Sequence, residues 1–338
     1  MRHREDLADS SADGDQSAGP EGAGRVGRRG GGRRIAVALT VLAPVVAGVV
    51  AVALRAASAP ADAPGRTSAR PAASVLREPT EKEKELLHKA GQLLLRDCMR
   101  RKGFEYRTFE RNPVSDAREF PYVIDDVDWA RRHGYGSDIE RAMQEIRRND
   151  VNQHYFQGLP AERRAAALAA ANGARPQGLT ARTPDGMTMT RSSAGCQSEA
   201  EGTLYQDLRA WFQAQTTATA LPPMRNEKVA AEPEFAKATR SWATCMRAAG
   251  HDYADPAALR AALPPPERPL PRGQEVELAV DEADCARTSG LGETARRLDR
   301  KHDAELRRRY RTEVEARLRL QLAALPRARS VIEEAGQR

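Results

Sequence analysis

The sequence predicts a mainly α-helical fold built of two unequal disulfide-closed units, with a small β-ribbon in the first and a long C-terminal helix. Three observations carry that prediction. Apolar residues recur at three- and four-residue spacing through most of the chain after position 80, as they do in helices that bury one face. One phrase occurs twice, as CMRRKGFEY from Cys98 to Tyr106 and as CMRAAGHDY from Cys245 to Tyr253. The four cysteines fall one in each phrase and one after each.

Composition sets the outer limits. A chain of 338 residues holds about two domains of roughly 100 to 200 residues, which agrees with the duplication. Aromatic residues are 5% and charged residues 30%, so the core must rest on Leu, Ala and Val. A net charge of +7 is mild at this length and suits an anionic wall polymer, lipid headgroups or nucleic acid, so charge alone selects no partner.

The first element is a membrane address. Ile35 to Leu54 are twenty residues without a charge, and a helix of that length spans a hydrocarbon core of about 30 Å. Arg25, Arg28, Arg29, Arg33 and Arg34 precede it, while Arg55 alone follows closely. The positive-inside bias therefore keeps residues 1–34, read as a disordered tail, in the cytoplasm and sends the C-terminal region out as a single-pass ectodomain. The alternative is a cleaved signal and a secreted product, with Ala57-Ser58-Ala59 and Ala61-Asp62-Ala63 resembling cleavage sites. Proline follows each, at Pro60 and Pro64, and the apolar run exceeds the usual signal length of about 7 to 15 residues, which favours a retained anchor. The Arg/Gly run beside the span serves topology, so no nucleic acid is expected as a partner. Residues 55–79, rich in Ala and Pro, read as a linker.

The first cysteine unit, 80–215, opens with Leu86, Leu87, Ala90, Leu94 and Met99 on one helical side. Gly103 then stands where a left-handed C-terminal cap is wanted, as Gly250 does after Phe235, Ala238, Trp242, Cys245 and Ala249 in the second unit. Four cysteines outside the cytoplasm favour disulfides. If each unit closes on itself, Cys98 pairs with Cys196 and Cys245 with Cys285, each bridge stabilising by about 2 to 4 kcal/mol. No close-spaced cysteine pair suggests zinc, and neither a metal nor another cofactor is expected.

The paired cysteines lie 98 positions apart in the first unit and 40 in the second, so the first contains an insertion. Within it, Ser137 and Glu140 predict a capping box for a helix with Ile139, Ala142, Met143 and Ile146 on one face. Pro160 and Gly173 bracket an Ala-rich helix. Leu179 to Arg191, LTARTPDGMTMTR, predicts two short strands about a Pro-Asp-Gly turn. Residues 216–232 read as a second linker and 233–325 as the second cysteine unit with the final helix. That helix, roughly Leu291 to Leu325, carries Leu298, Leu306, Tyr310, Val314, Leu318 and Leu322 at multiples of four, a stripe that drifts by about 40° per step. Pro326 is expected to end it and leave 326–338 as a tail.

The repeated phrases, the later cysteines and WARRHGYGSDIERAM from Trp129 to Met143 resemble a loosely defined group of uncharacterised secreted or membrane-anchored proteins of actinobacteria. The resemblance runs from about Thr80 to Leu325. It implies extracytoplasmic placement and no particular activity, and the chain departs from the group's lipoproteins in having no cysteine before Cys98.

The usual enzyme signatures are missing: no nucleophile elbow, phosphate loop, HExxH or dinucleotide fingerprint occurs. Asp125, Asp126 and Asp128 lack the spaced ligands of a calcium loop and read as solvated. His133 and His154 are candidate proton carriers, with surface or capping roles preferred. Trp129, Tyr135, Tyr155 and Phe156, interleaved with Arg131, Arg132, Arg147 and Arg148, make a candidate binding surface for a sugar or polyanion, with a small basic-edged core as the plainer alternative. The expected function is a non-catalytic extracytoplasmic envelope protein that binds a cell-wall polymer or a membrane-protein partner. Two alternatives stay open: a wall hydrolase with its site in 120–190, using Asp128 or Asp138, and a receptor ectodomain with a separate transducer.

Overall fold

A computed structural model describes residues 76–265 and 267–337; the predicted tail, the predicted span and the linker as far as residue 75 lie outside them. Among the described residues no helix is long and apolar enough to cross a membrane. The fold is mainly helical. Its elements are α1 (Glu81–Arg101), α2 (Val127–His133), α3 (Ser137–Arg148), α4 (Val151–Gly158), α5 (Ala161–Asn172), β1 (Gly178–Arg182), β2 (Thr188–Ser192), α6 (Cys196–Tyr205), α7 (Leu208–Ala230), α8 (Pro233–Ala248), α9 (Pro256–Ala262), α10 (Arg272–Thr288), α11 (Leu291–Arg309) and α12 (Arg311–Gly336).

The duplicated phrase is a helix-ending device tied to a disulfide. Thr80 and Glu83 start α1 with a reciprocal capping box. At its other end Gly103 takes φ +79°, its N–H donates to Arg100 O, and the Phe104 N–H reaches back to Met99 O. α8 ends the same way: Gly250 has φ +92°, its N–H donates to Arg247 O, and the His251 N–H donates to Met246 O. This six-to-one plus five-to-two pattern needs a left-handed residue after the helix, which glycine adopts at least cost. It leaves Met99 and Met246 buried, one residue beyond the cysteines. The disulfides are Cys98–Cys196 and Cys245–Cys285, as the duplication predicts.

The predicted ribbon is present. β1 and β2 pair antiparallel from Gly178↔Ser192 to Arg182↔Thr188, around Thr183–Met187. Leu179 and Ala181 are buried on the face toward α7, and the Gln213 amide both accepts from the Arg182 N–H (2.9 Å) and donates to its carbonyl (2.8 Å).

Four apolar clusters hold the described part together. One surrounds the Trp242 indole and the Cys245–Cys285 bridge with Met246, Leu259, Leu278 and Leu291. A second joins α1, α6, α7 and α12 through Leu87, Leu204, Trp211 and Leu325. A third lies about the Cys98–Cys196 bridge. The fourth packs Ile124, Trp129 and Ala130 against Ala279 and Ala283 of α10.

That last cluster corrects the division into 80–215 and 233–325: α2 belongs to the first unit by sequence and to the second by packing. Other expectations also change. Residues 216–232 are largely the C-terminal part of α7, which runs through Pro222 and Pro223. Both prolines are exposed, while Leu221 and Val229 anchor the helix. The long C-terminal helix is present as α12, 26 residues from Arg311 to Gly336, but the predicted Leu291–Leu325 stretch is divided between it and α11, where the backbone breaks at Tyr310 (φ −107°, ψ 34°). A drifting four-residue stripe cannot stay on one core, and the break lets α11 pack on α7, α8 and α10 while α12 packs on α1, α6 and α7. Pro326 lies inside α12, exposed, and residues 326–336 continue the helix instead of forming a tail.

Candidate functional site

The site is built where the segment 116–138 lies across α10 and α11. α10 carries Glu275 and Glu282 seven positions apart, in phase with Leu278, Ala279, Ala283 and Ala286, so two carboxylates point into a buried face. Glu282 accepts from the Ile124 N–H (3.0 Å) and the Tyr135 hydroxyl (2.7 Å). Burial pushes its carboxyl above the ordinary value, against those two bonds and the nearby Arg260 charge. Glu275 accepts from the Tyr135 and Ser137 N–H groups (2.9 and 3.1 Å) and from Ser137 Oγ (2.5 Å). It thereby caps α3 from another helix. The expected Ser137–Glu140 box does not form, because Gly136 is the cap residue and Ser137 is already inside the helix, bonded to Glu275.

Outside this seam lies a cavity of about 690 Å³ walled by residues 118–131 and by α7, α10 and α11. Tyr122 stands in it, its hydroxyl donating to Asp299 Oδ1 (2.7 Å) with Asn226 Oδ1 at 3.0 Å. Burial, then the Asp299 carboxylate, raises this phenol well above its ordinary range, so it acts as a fixed donor. Arg225 bridges Asp299 (2.8 Å) and Asp303 (3.0 Å). Six arginines and six acids line the cavity. Asp125 pairs with Arg296, Asp126 with Arg118, Asp128 with Arg131 and Asp284 with Arg287. Arg300 and Glu119 are exposed and have no ion-pair or hydrogen-bond partner among the described residues. Gly292 lets α11 approach the wall: a Cβ there would lie 2.9 Å from Asp125 Cβ.

The residues singled out in the sequence are divided between places. Trp129 and Tyr135 meet at a second, smaller groove of about 350 Å³ with Ile139, Leu263 and Leu270. Arg131 lines the main cavity, and Arg132 is exposed with its carbonyl held by Arg272. Tyr155 and Phe156 instead pack beside the Cys98–Cys196 bridge, so the four aromatics do not make one face. Arg147 pairs with Glu140, and Arg148 is exposed. His154 is exposed, whereas His133 is buried, packed at a tilt against Trp129 and bonded to Asp138 (2.9 Å). Burial would raise the Asp138 carboxyl, but His133, the Ile139 N–H and the Arg272 charge outweigh it and hold it below its ordinary value. Of the acidic run, Asp126 caps α2; the Trp129 N–H, then Arg118, holds it low. No group of three or more His, Cys, Asp and Glu side chains arranged to hold a metal occurs among the described residues.

The chain matches no protein-family model, no curated protein and no solved structure. Function therefore rests on the site itself. The sequence reading does not include Tyr122, Arg225, Asp299, Glu275 and Glu282. A signal existed for the last two, since acids at positions 275 and 282 fall on the apolar stripe of α10.

Proposed function

We propose that this protein is a non-catalytic, membrane-anchored binding protein of the cell envelope that takes a wall polymer into the cavity between residues 118–131 and α11. The supporting observation is the cavity wall itself: its arginines and acids alternate and mostly pair, leaving Arg300 and Glu119 as one free charge of each sign. Such a wall suits a chain whose repeating unit carries both carboxylate and amine groups, as a peptide-bearing wall polymer does, better than a uniform polyanion. Its exposed ion pairs, Arg131–Asp128 and Arg287–Asp284, are worth about 0 to 1 kcal/mol each and open to a ligand at small cost. Candidate acids and bases are engaged in structure: Asp138 holds His133, and Ser137 donates to Glu275.

The test is co-sedimentation of the oxidised chain with purified sacculi over a salt series. Binding that falls with salt, and that weakens in both Arg300→Ala and Glu119→Ala, is the expected outcome, since exposed charges are screened within about 10 Å at 0.1 M salt. Absence of pelleting at low salt would remove this function.

A further inference from the structure

We infer that α3 is an interfacial helix that lies on the bilayer carrying the protein's own anchor. Its apolar residues Ile139, Ala142, Met143 and Ile146 follow i, i+3, i+4, i+7 and share one face. A helix with so clear a stripe ordinarily buries it, yet none of the residues of α3 is buried. Only its first turn is held, through Glu275, Asp138 and the packing of Ile139 beside Trp129. Beyond that, Met143 is half-buried and Ile146 is 43% exposed. Of seven large apolar side chains exposed among the described residues, six lie between Phe109 and Met189, which places the molecule's open apolar surface on the insertion.

Size decides between occupants. A twelve-residue helix is about 18 Å long and about 10 Å wide, so one face offers roughly 180 Å², far below the roughly 800 Å² per partner of a stable protein interface. A second copy or a separate protein seated on α3 alone would not be held. A bilayer differs because the chain is already joined to it, on the anchoring stated above, on which this inference rests. Residues 55–75 between the predicted span and the described part reach at most about 70 Å when extended. Contact with the lipid surface is then intramolecular, and weak interfacial affinity suffices. Arg141 and Arg148, exposed and outside any ion pair among the described residues, lie on the side of the helix opposite the stripe, which faces water when the stripe is on lipid.

The test uses the full chain in liposomes that contain a photoactivatable phosphatidylglycerol, with lipid adducts mapped by mass spectrometry. Adducts are expected at residues 35–54 and again at 142–148. Met143→Ser with Ile146→Ser should lower the second set about tenfold and leave the first unchanged; neither side chain belongs to a core cluster, so the fold is retained. Adducts at 35–54 without any at 142–148 would overturn the inference and leave the anchor standing. Adducts at neither would overturn both. Protection of α3 that follows protein concentration instead of lipid would also overturn it.

Discussion

Replacing Glu275 by alanine tests whether the insertion is held to the second cysteine unit by one carboxylate. Glu275 is 3% exposed and accepts three hydrogen bonds, two from backbone N–H groups and one from Ser137 Oγ. Alanine removes all three acceptors. Each orphaned N–H costs about 1 to 3 kcal/mol if it stays dry, and the lost serine bond adds about 1 kcal/mol. These sum to about 3 to 7 kcal/mol, and the lower part of that range, about 3 to 5 kcal/mol, is what breaking a buried charged contact costs. Glutamine keeps an acceptor for the two N–H groups and a partner for Ser137, and loses only the charge assistance, so Glu275→Gln should cost about 1 to 2 kcal/mol. Urea unfolding of the oxidised 69–338 segment measures the total, and hydrogen exchange in α3 locates it. If alanine falls within about 0.5 kcal/mol of wild type and α3 exchanges no faster, the carboxylate is not the clamp.

Three further outcomes follow from the packing. Removing the Cys98–Cys196 pair by serine substitution should destabilise by about 4.7 kcal/mol and removing Cys245–Cys285 by about 3.9 kcal/mol, from loops of 98 and 40 positions; denaturant midpoints in the reverse order would contradict a loop-entropy origin. Gly292→Ala forces the Asp125 wall off α11 and should cost about 1 to 3 kcal/mol, together with a loss of sacculus binding. Burial raises the Glu282 carboxyl above 4.5, so the folded chain keeps a proton that the unfolded chain releases. Its contribution is therefore fully present below about 4.5 and lost as pH rises through the folded value; Glu282→Gln should flatten that part of the urea-midpoint profile, and an unchanged profile would refute the assignment.

Much of the architecture is legible because it is local. CMRxxG marks a helix end whose glycine must be left-handed, and Pro184-Asp185-Gly186 marks a turn between alternating runs. The duplication then supplies the disulfide pairing, which spacing alone leaves open. What was missed depends on partners far along the chain. Pro222, Pro223 and Pro326 are tolerated inside helices because each sits on the watered side of a helix pinned by buried Leu and Ala, which no proline rule reveals. Ser137 loses its capping role to a glutamate 138 positions away. The aromatic group of the insertion scatters because α2 is drawn onto α10 while α4 stays near the first bridge. The cavity escaped notice for the same reason: its walls come from four separate stretches of sequence.

The two bridges join each cysteine to the next one along the chain, Cys98 to Cys196 and Cys245 to Cys285. In a polypeptide threaded outward from its N-terminus, thiols would reach an oxidase in that same sequence, and coupling each newcomer to the one still waiting yields the native pattern without reshuffling. The seating of α2 on α10 is the step that cannot keep pace, since its receptor surface emerges more than a hundred residues later. Chains arrested before residue 272 and held under oxidising conditions should accordingly form the Cys98–Cys196 bond while Trp129 is still reached by a soluble quencher; a Trp129 indole already shielded from the quencher at that stage would speak against this order of assembly.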